Sequence, residues 1–302
     1  MSRVAILLSV YNGTNYLRDL LESLCRQTHP IELIVRDDGS TDDTVPLIET
    51  YRDRLPITIL KGQNLGLARS FFKLIEFIPD RFDFVGFCDH DDVWDPAKVE
   101  RAVEQLSRAG AAETPRIYCS RLKVVDEDLQ FTGLSKLPRM PLGFRNALVQ
   151  NVATGCTMLL NAPAVRLLKE LPPGEPKVNH DAYAYLVISA FGEVLFDDQA
   201  HILYRQHPQN VIGMRLGWRQ WPPRLRRSFK RFRFSVYFPR ALAFYERYGD
   251  RMLGGKRKIL ETYLFDRQTV TRRMTLLKRT GIYRQRRLDH ALLWLLVTIN
   301  RD

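Results

Sequence analysis

The chain has 302 residues, of which 45% are hydrophobic and 26% charged, with a formal net charge of +12. This suffices for one large domain, or a domain with a substantial appendage, and no stretch nears the 18 consecutive apolar residues that would suggest a spanning helix. Cys25, Cys88, Cys119 and Cys156 lack metal-type spacing and lie in apolar surroundings, which reads as buried free thiols of a reducing compartment and excludes a disulfide framework.

The start, Met1-Ser2-Arg3-Val4-Ala5-Ile6-Leu7-Leu8-Ser9-Val10, has only a short apolar run and no small-residue cleavage site. It reads as a first strand over 3–9 and not as a signal peptide. Further runs of strand length lie at 31–37, 56–61 and 83–88. Between them apolar residues recur at helical spacing: Tyr16, Leu17, Leu20, Leu21 and Leu24, then Val45, Leu47, Ile48 and Tyr51, then Leu67, Phe71, Phe72, Leu74 and Ile75. Strand–helix alternation with short connections predicts an α/β fold with a mainly parallel sheet flanked by helices. Ligands of such sheets sit beyond the carboxyl ends of the strands. Four polar clusters fall there: Tyr11-Asn12-Gly13, Asp37 to Asp42, Asn64-Leu65-Gly66, and Asp89-His90-Asp91-Asp92.

Beyond Pro96 the pattern predicts a helix over 97–108, with Asp95 as its cap and Pro96 in its first turn. Residues 117–119 and 156–160 read as strands, 137–141 as a loop, 179–191 as a helix, and 194–196 and 202–204 as two more strands. From Arg215 onward there are 23 Lys+Arg against 6 Asp+Glu, or +17, whereas the first 214 residues hold 23 against 28, or −5. The division predicts two parts with different tasks: residues 1–214, which carry the motifs, and a basic, aromatic-containing helical extension over 215–302.

The chemistry concentrates at Asp89 to Asp92, delivered by the apolar run Phe84-Val85-Gly86-Phe87-Cys88. Unpaired carboxylates at the end of a buried strand are costly, and an Asp-x-Asp pair is a natural clamp for Mg²⁺ or Mn²⁺ carrying a diphosphate. Asp89 is the candidate for ribose and metal contact and Asp91 for direct coordination; a solvated acidic turn is the structural alternative. Asp38 can accept the imino N–H of a uracil or thymine ring, with Gly39 allowing close backbone approach, while Ser40 or Thr41 can cap the next helix. Asn64 and Arg69 open the third helix, where a cation in the first turn opposes the helix dipole and suggests an anion to be answered. Asp181, opening an apolar helix, is either its cap or the general base that an acceptor hydroxyl needs. Past the last strand, Arg205 can bind a phosphate, and His207 is either a metal contact or an ordinary histidine.

In order, Val-Tyr-Asn, Arg-Asp-Asp-Gly-Ser-Thr-Asp, Asn-x-Gly, Asp-x-Asp-Asp-Val-Trp, His-Asp and Tyr-Arg-Gln-His-x-x-Asn resemble family 2 inverting glycosyltransferases, especially rhamnosyltransferase-like enzymes of O-antigen and capsule assembly. The resemblance covers about residues 3–213. It implies a GT-A fold, a nucleotide-sugar donor (dTDP- or UDP-linked), and a saccharide or lipid-linked acceptor. By position it places Tyr11 and Asp38 on the base, Asn12 and Gly39 beside them, Asp89 on ribose and metal, Asp91 on the divalent cation and Asp181 as catalytic base. The Gln-x-x-Arg-Trp motif of many relatives is absent, which argues against processive polymer synthesis.

The C-terminal runs Arg219-Gln220-Trp221, Arg224 to Arg227 and Lys230 to Phe234 interleave cations with aromatics. Together with a lipid-linked acceptor they predict attraction to an anionic membrane surface, hence a cytoplasmic protein peripheral at the inner face. A solvated helical face is the alternative; no recognised nucleic-acid motif appears. Rival functions are a nucleotidyltransferase, whose Gly-rich basic loop after the first strand is missing, and a basic scaffold whose carboxylates only cap helices.

Overall fold

The computed structural model describes residues 2–111, 113–170, 179–208 and 234–299. Strands β1 (Val4–Val10), β2 (Glu32–Asp37), β3 (Ile57–Lys61) and β4 (Phe84–Cys88) alternate with helices α1 (Thr14–Cys25), α2 (Thr44–Glu49) and α3 (Leu67–Phe77). Next come β5 (Val93–Trp94), α4 (Lys98–Arg108), β6 (Arg116–Val125), β7 (Phe131–Leu134), α5 (Phe144–Ala147), β8 (Leu159–Asn161), α6 (Ala162–Lys169), α7 (His180–Phe191) and β9 (Glu193–Arg205). After residue 234 follow α8 (Phe234–Tyr248), α9 (Gly254–Phe265), α10 (Val270–Thr280) and α11 (Arg287–Ile299). The runs at 219–233 lie outside the described residues.

All strands join one sheet in the order β3-β2-β1-β4-β8-β6-β9-β5, with β7 alongside β6. The first four are parallel. The sheet is mixed beyond them: β8 enters antiparallel between β4 and β6, β9 runs parallel to β6, and β5 antiparallel to β9. Every residue of β1 is buried, and its side chains alternate between the two faces. Ala5 and Leu7 join a core with Phe71, Leu74 and Ile75 of α3, while Val4, Ile6, Leu8 and Val10 join another with Leu17, Leu20 and Leu21 of α1. A strand covered on both sides reads as a continuous apolar run, which is why the pattern was visible.

Later elements depart from expectation. Gly155–Thr157 is a 3-10 turn, so of the expected 156–160 strand only Leu159 and Leu160 pair in the sheet, as part of β8. The runs at 194–196 and 202–204 belong to one strand, β9, whose pairing with β6 shifts register around Ser120 to Lys123. That irregularity absorbs the polar Asp197-Asp198-Gln199, which the sequence presents as a break. Helix α7 is buried from His180 through Ala190 on all sides. Its outer cover includes α8, whose Ala241, Phe244 and Tyr248 share its core, and α9, whose Lys256 donates to Ala190 O at 2.8 Å and caps the helix end.

Candidate active site

Residues at the carboxyl ends of β1 and β2 tie two loops into one rim. Asn12 stands at φ +48; its backbone N–H donates to Ser40 Oγ at 3.0 Å and its Oδ1 accepts the Thr41 N–H at 2.9 Å. Gly13 N–H donates to Thr44 Oγ1 at 2.8 Å. Neither Ser40 nor Thr41 caps α2: the cap position is Asp43, and from the residue before it Asp42 Oδ1 accepts the Thr44 N–H at 3.1 Å. Gly39 has φ +89, which favours glycine, and a Cβ there would stand tightly, 3.2 Å from Gly62 O. Tyr11 is 49% exposed on this rim.

Asp38 is buried and ion-paired with Arg36, whose guanidinium also reaches Ser70 Oγ and Gln63 O. Its Oδ1 accepts the Leu65 N–H and its Oδ2 the Gly66 N–H, both at 2.8 Å. The carboxylate therefore shapes the Asn64 to Gly66 turn. Since a carboxylate offers about four acceptor positions, Oδ2 retains capacity for one more donor. Asn64 Oδ1 also accepts the Gly66 N–H, at 3.1 Å. Arg69 is exposed on the first turn of α3.

At the end of β4 the four residues divide. Asp91 is buried, and its Oδ2 lies 2.9 Å from His207 Nε2; the His207 ring rests on Tyr16 at 4.6 Å. Burial pushes the Asp89 carboxyl above its ordinary range, and the charges of Asp91 and Asp181 push it further. His90 packs against Gly13, where a Cβ would come 2.9 Å from its ring. Asp92 is fully buried, held mainly by burial well above the carboxylate range, and its Oδ1 accepts the Arg205 N–H at 3.3 Å.

Asp89, Asp92 and Cys156 bring ligand-type atoms within 4.8 Å of one another. Burial holds the Cys156 thiol far above its ordinary pKa, and the nearby charges of Asp92 and Asp89 push it the same way. A thiol is also a soft donor, ill suited to the hard Mg²⁺ or Mn²⁺. This cluster is a buried knot behind the turn, with Lys98 near it, whose Nζ sits 3.3 Å from the Trp94 ring centre and whose pKa burial lowers to about 8. The Asp91 charge pushes the Asp89 carboxyl upward, and carboxylate oxygens are the donor type a divalent cation takes.

Arg205 differs from the phosphate ligand expected of it. Its side chain is 4% exposed. Nε donates to Asp91 O at 3.0 Å, Nη1 to Glu127 O at 2.6 Å and Nη2 to Asp19 Oδ2 at 2.6 Å. A guanidinium committed in three directions fixes the turn that carries Asp91 and has no fork left for a diphosphate.

Asp181 lies in the first turn of α7, whose cap position is Asn179. Its Oδ1 accepts the Ala182 N–H at 2.6 Å and its Oδ2 accepts Asn151 Nδ2 at 2.8 Å. Burial raises its pKa, while those two donors, the Gly155 N–H and the charge of Arg240 hold it down. The outcome is an ionisable carboxylate poised upward, as a general base requires. Beside it His180 stacks on Phe71 at 3.8 Å and meets Phe87 edge-on at 4.9 Å. Burial lowers its pKa to about 3, so it is neutral, and neither ring nitrogen has a partner among the described residues.

The structure thus brings Asp89, Asp91, His207 and Asp181 to one region and surrounds it with the rim carrying Tyr11, Asn12, Asp38 and Gly39. Arg36, Lys98, Cys156 and Asn151 were not anticipated. Arg36 had a signal, a cation ending a buried strand, and so had Lys98 within an apolar helical stripe; Asn151 had none.

Residues 5–165 match the family model described as Glycosyl transferase family 2. The dTDP-rhamnosyl transferase RfbG of Shigella flexneri is 23% identical over 229 residues, 70% of this chain and 75% of that protein. Staphylococcus aureus TarS 1-349 in complex with UDP-GlcNAc superposes with a TM-score of 0.61 at 16% identity, covering 98% of this chain and 79% of that one. The mannosyltransferase PcManGT of Pyrobaculum calidifontis, in complex with GDP-Man and Mn²⁺, gives a TM-score of 0.52 at 14% identity, covering 98% and 85%.

Proposed function

Since this chain belongs to glycosyl transferase family 2 and has the α/β GT-A fold, we propose that it is an inverting sugar transferase with Asp181 as its general base. The observation that carries this reading is that the start of α7 packs on the end of β4: Phe87, two residues before Asp89, meets His180 edge-on at 4.9 Å, and Gly155, packed against Asp181, adjoins Cys156, whose Sγ lies within 4.8 Å of the Asp89 carboxylate. In the proposed reaction Asp181 takes the proton of an acceptor hydroxyl as that oxygen attacks the anomeric carbon and the bond to the diphosphate breaks. One displacement inverts the configuration, so no protein nucleophile is needed. Tyr11, Asn12, Asp38, Gly39, Asn64 and Arg69 form the donor side, with Asp38 Oδ2 accepting a base N–H and Asp89 the ribose. Asp89 and Asp91, with His207 beside them, would hold Mg²⁺ or Mn²⁺, which would supply positive charge for the diphosphate leaving group.

For the donor we propose dTDP-rhamnose, supported by the relation to RfbG, with UDP-linked hexoses as second choice because TarS binds UDP-GlcNAc. The acceptor proposed is a saccharide or lipid-linked saccharide of a cell-surface polysaccharide. Among the described residues no helix is long and apolar enough to cross a membrane. A peripheral position at the inner face of the cytoplasmic membrane is supported by α11, which exposes Leu288, Leu295 and Ile299 at helical spacing beside Arg286 and Arg287. Binding to anionic vesicles at low salt tests it; no binding there contradicts it. The chemistry is tested by thermal-shift screening of nucleotide sugars with Mn²⁺, then by NMR of the product. An anomeric configuration opposite to the donor's is expected; retention overturns the mechanism.

A further inference from the structure

Asn151 lies in the segment between α5 and the 155–157 turn, 30 residues before Asp181, and its Nδ2 meets Asp181 Oδ2 at 2.8 Å. The orientation of the amide follows from chemistry, because an ionised carboxylate only accepts and so must face the NH₂ group. The other half of the amide is left without a partner: Oδ1 is buried and, among the described residues, has none. Leaving a buried acceptor unsatisfied costs free energy, so the amide is not there to satisfy its own polar groups.

The segment that presents Asn151 is fixed from the C-terminal helices. Arg240 of α8 donates to Ala147 O. Asn146 Nδ2 reaches Tyr283 O at 3.2 Å, and Gln285 N–H donates to Gln150 Oε1 at 2.8 Å. Gln285 Oε1 accepts the Arg139 and Met140 N–H groups, both at 2.8 Å, and its Nε2 returns a bond to Met140 O at 3.0 Å. Tyr185 of α7 joins the same set through Asn146 Oδ1 at 2.9 Å. The segment is thus gripped both by the helix that carries the base and by residues more than 90 positions later in sequence.

Resting on the reading of Asp181 as base, we propose that Asn151 is its positioning residue and that the C-terminal helices act on the reaction through it. The second donor on Oδ2, added to the Ala182 N–H on Oδ1, fixes the rotation of the carboxyl group. It also favours the charged form that can take the acceptor's proton. The charged and titratable groups facing Asp181 are Asp89 from the end of β4, Arg240 from α8 and the neutral His180 next to it on α7.

The test uses the full chain with Asn151→Ala, which removes the donor, and Asn151→Asp, which keeps the shape of the side chain and sets a second carboxyl against Asp181. Melting temperatures establish that each variant is folded, and kcat, donor KM and the pH profile of kcat are measured. The expected result is a kcat at least about tenfold lower in both, a donor KM within about twofold of wild type, and an acidic limb moved to higher pH. A kcat within about twofold of wild type overturns the proposal, as does a lowered kcat with an unmoved limb, which marks a packing role. Asp181→Asn runs in parallel: if it keeps near-normal transfer, the base assignment itself fails; if it is inactive while the Asn151 variants are normal, only the positioning role fails.

Discussion

Asp38 and Asp181 are both buried carboxylates that accept several hydrogen bonds, yet their supports come from different distances along the chain. Around Asp38 the partners are Arg36, Leu65 and Gly66, all at the ends of neighbouring parallel strands. Around Asp181 the partner Asn151 sits on a segment held by Arg240, Tyr283 and Gln285. The rim formed by β1, β2 and β3 is therefore a local construction, finished once the parallel sheet forms. The α5 to α7 side is completed only when the C-terminal helices dock. They also bury α7, which is apolar on every face and needs a full cover.

The first prediction strikes the local side. Asp91→Ala is expected to lower transfer at least about 100-fold and to abolish Mn²⁺-dependent donor binding, measured by calorimetry, with little change in melting temperature. If donor binding keeps its cation dependence, the Asp89–Asp91 assignment is wrong. Gln285→Ala strikes the remote side. It removes three side-chain hydrogen bonds to residues 139 and 140 and is expected to cost about 1–3 kcal/mol and several-fold in kcat while donor KM holds. A donor KM that rises as much as kcat falls would erase the distinction between the two sides.

The smallest effect is in pH. His180 has a folded pKa lowered by burial to about 3, from an ordinary value of 6.5, so the unfolded chain binds more protons between those values. Its contribution to stability is full above about 6.5 and is lost as pH falls toward about 3. Buried carboxyls with raised pKa values, Asp89, Asp92 and Asp181, act with the opposite sign, since their contribution is full at low pH and is lost as pH rises through their folded values. The His180 share is isolated by His180→Phe: its melting temperature relative to wild type should climb as pH is lowered from 6.5 to 4. A constant difference contradicts the assignment.

The same contrast explains what could be read from the chain. Four parallel strands, the α1 to α3 stripes and the four polar strand ends were legible because each is set by periodicity within a few residues. The joining of 193–205 into one strand was not, because a shift in pairing depends on β6, which a local pattern does not contain. Asn151 was invisible for the same reason: nothing near it in sequence announces Asp181, Arg240 or Gln285. Arg205 was visible as a cation at a strand end but given the wrong partners, since its three acceptors lie in three distant segments. The acidic cluster itself was legible, and the structure sharpens it by placing Asp92 in a knot with Cys156 and Lys98 behind the turn.

The central claim is that two separately built sides meet on one reacting bond, with donor and cation on one and the base on the other. Its most direct test is Asp181→Asn, assayed for both Mn²⁺-dependent donor binding and transfer to acceptor. The account predicts donor affinity within about twofold of wild type and transfer lowered by about 10²–10⁴. Transfer near the wild-type rate, or donor binding lost together with it, would contradict that division.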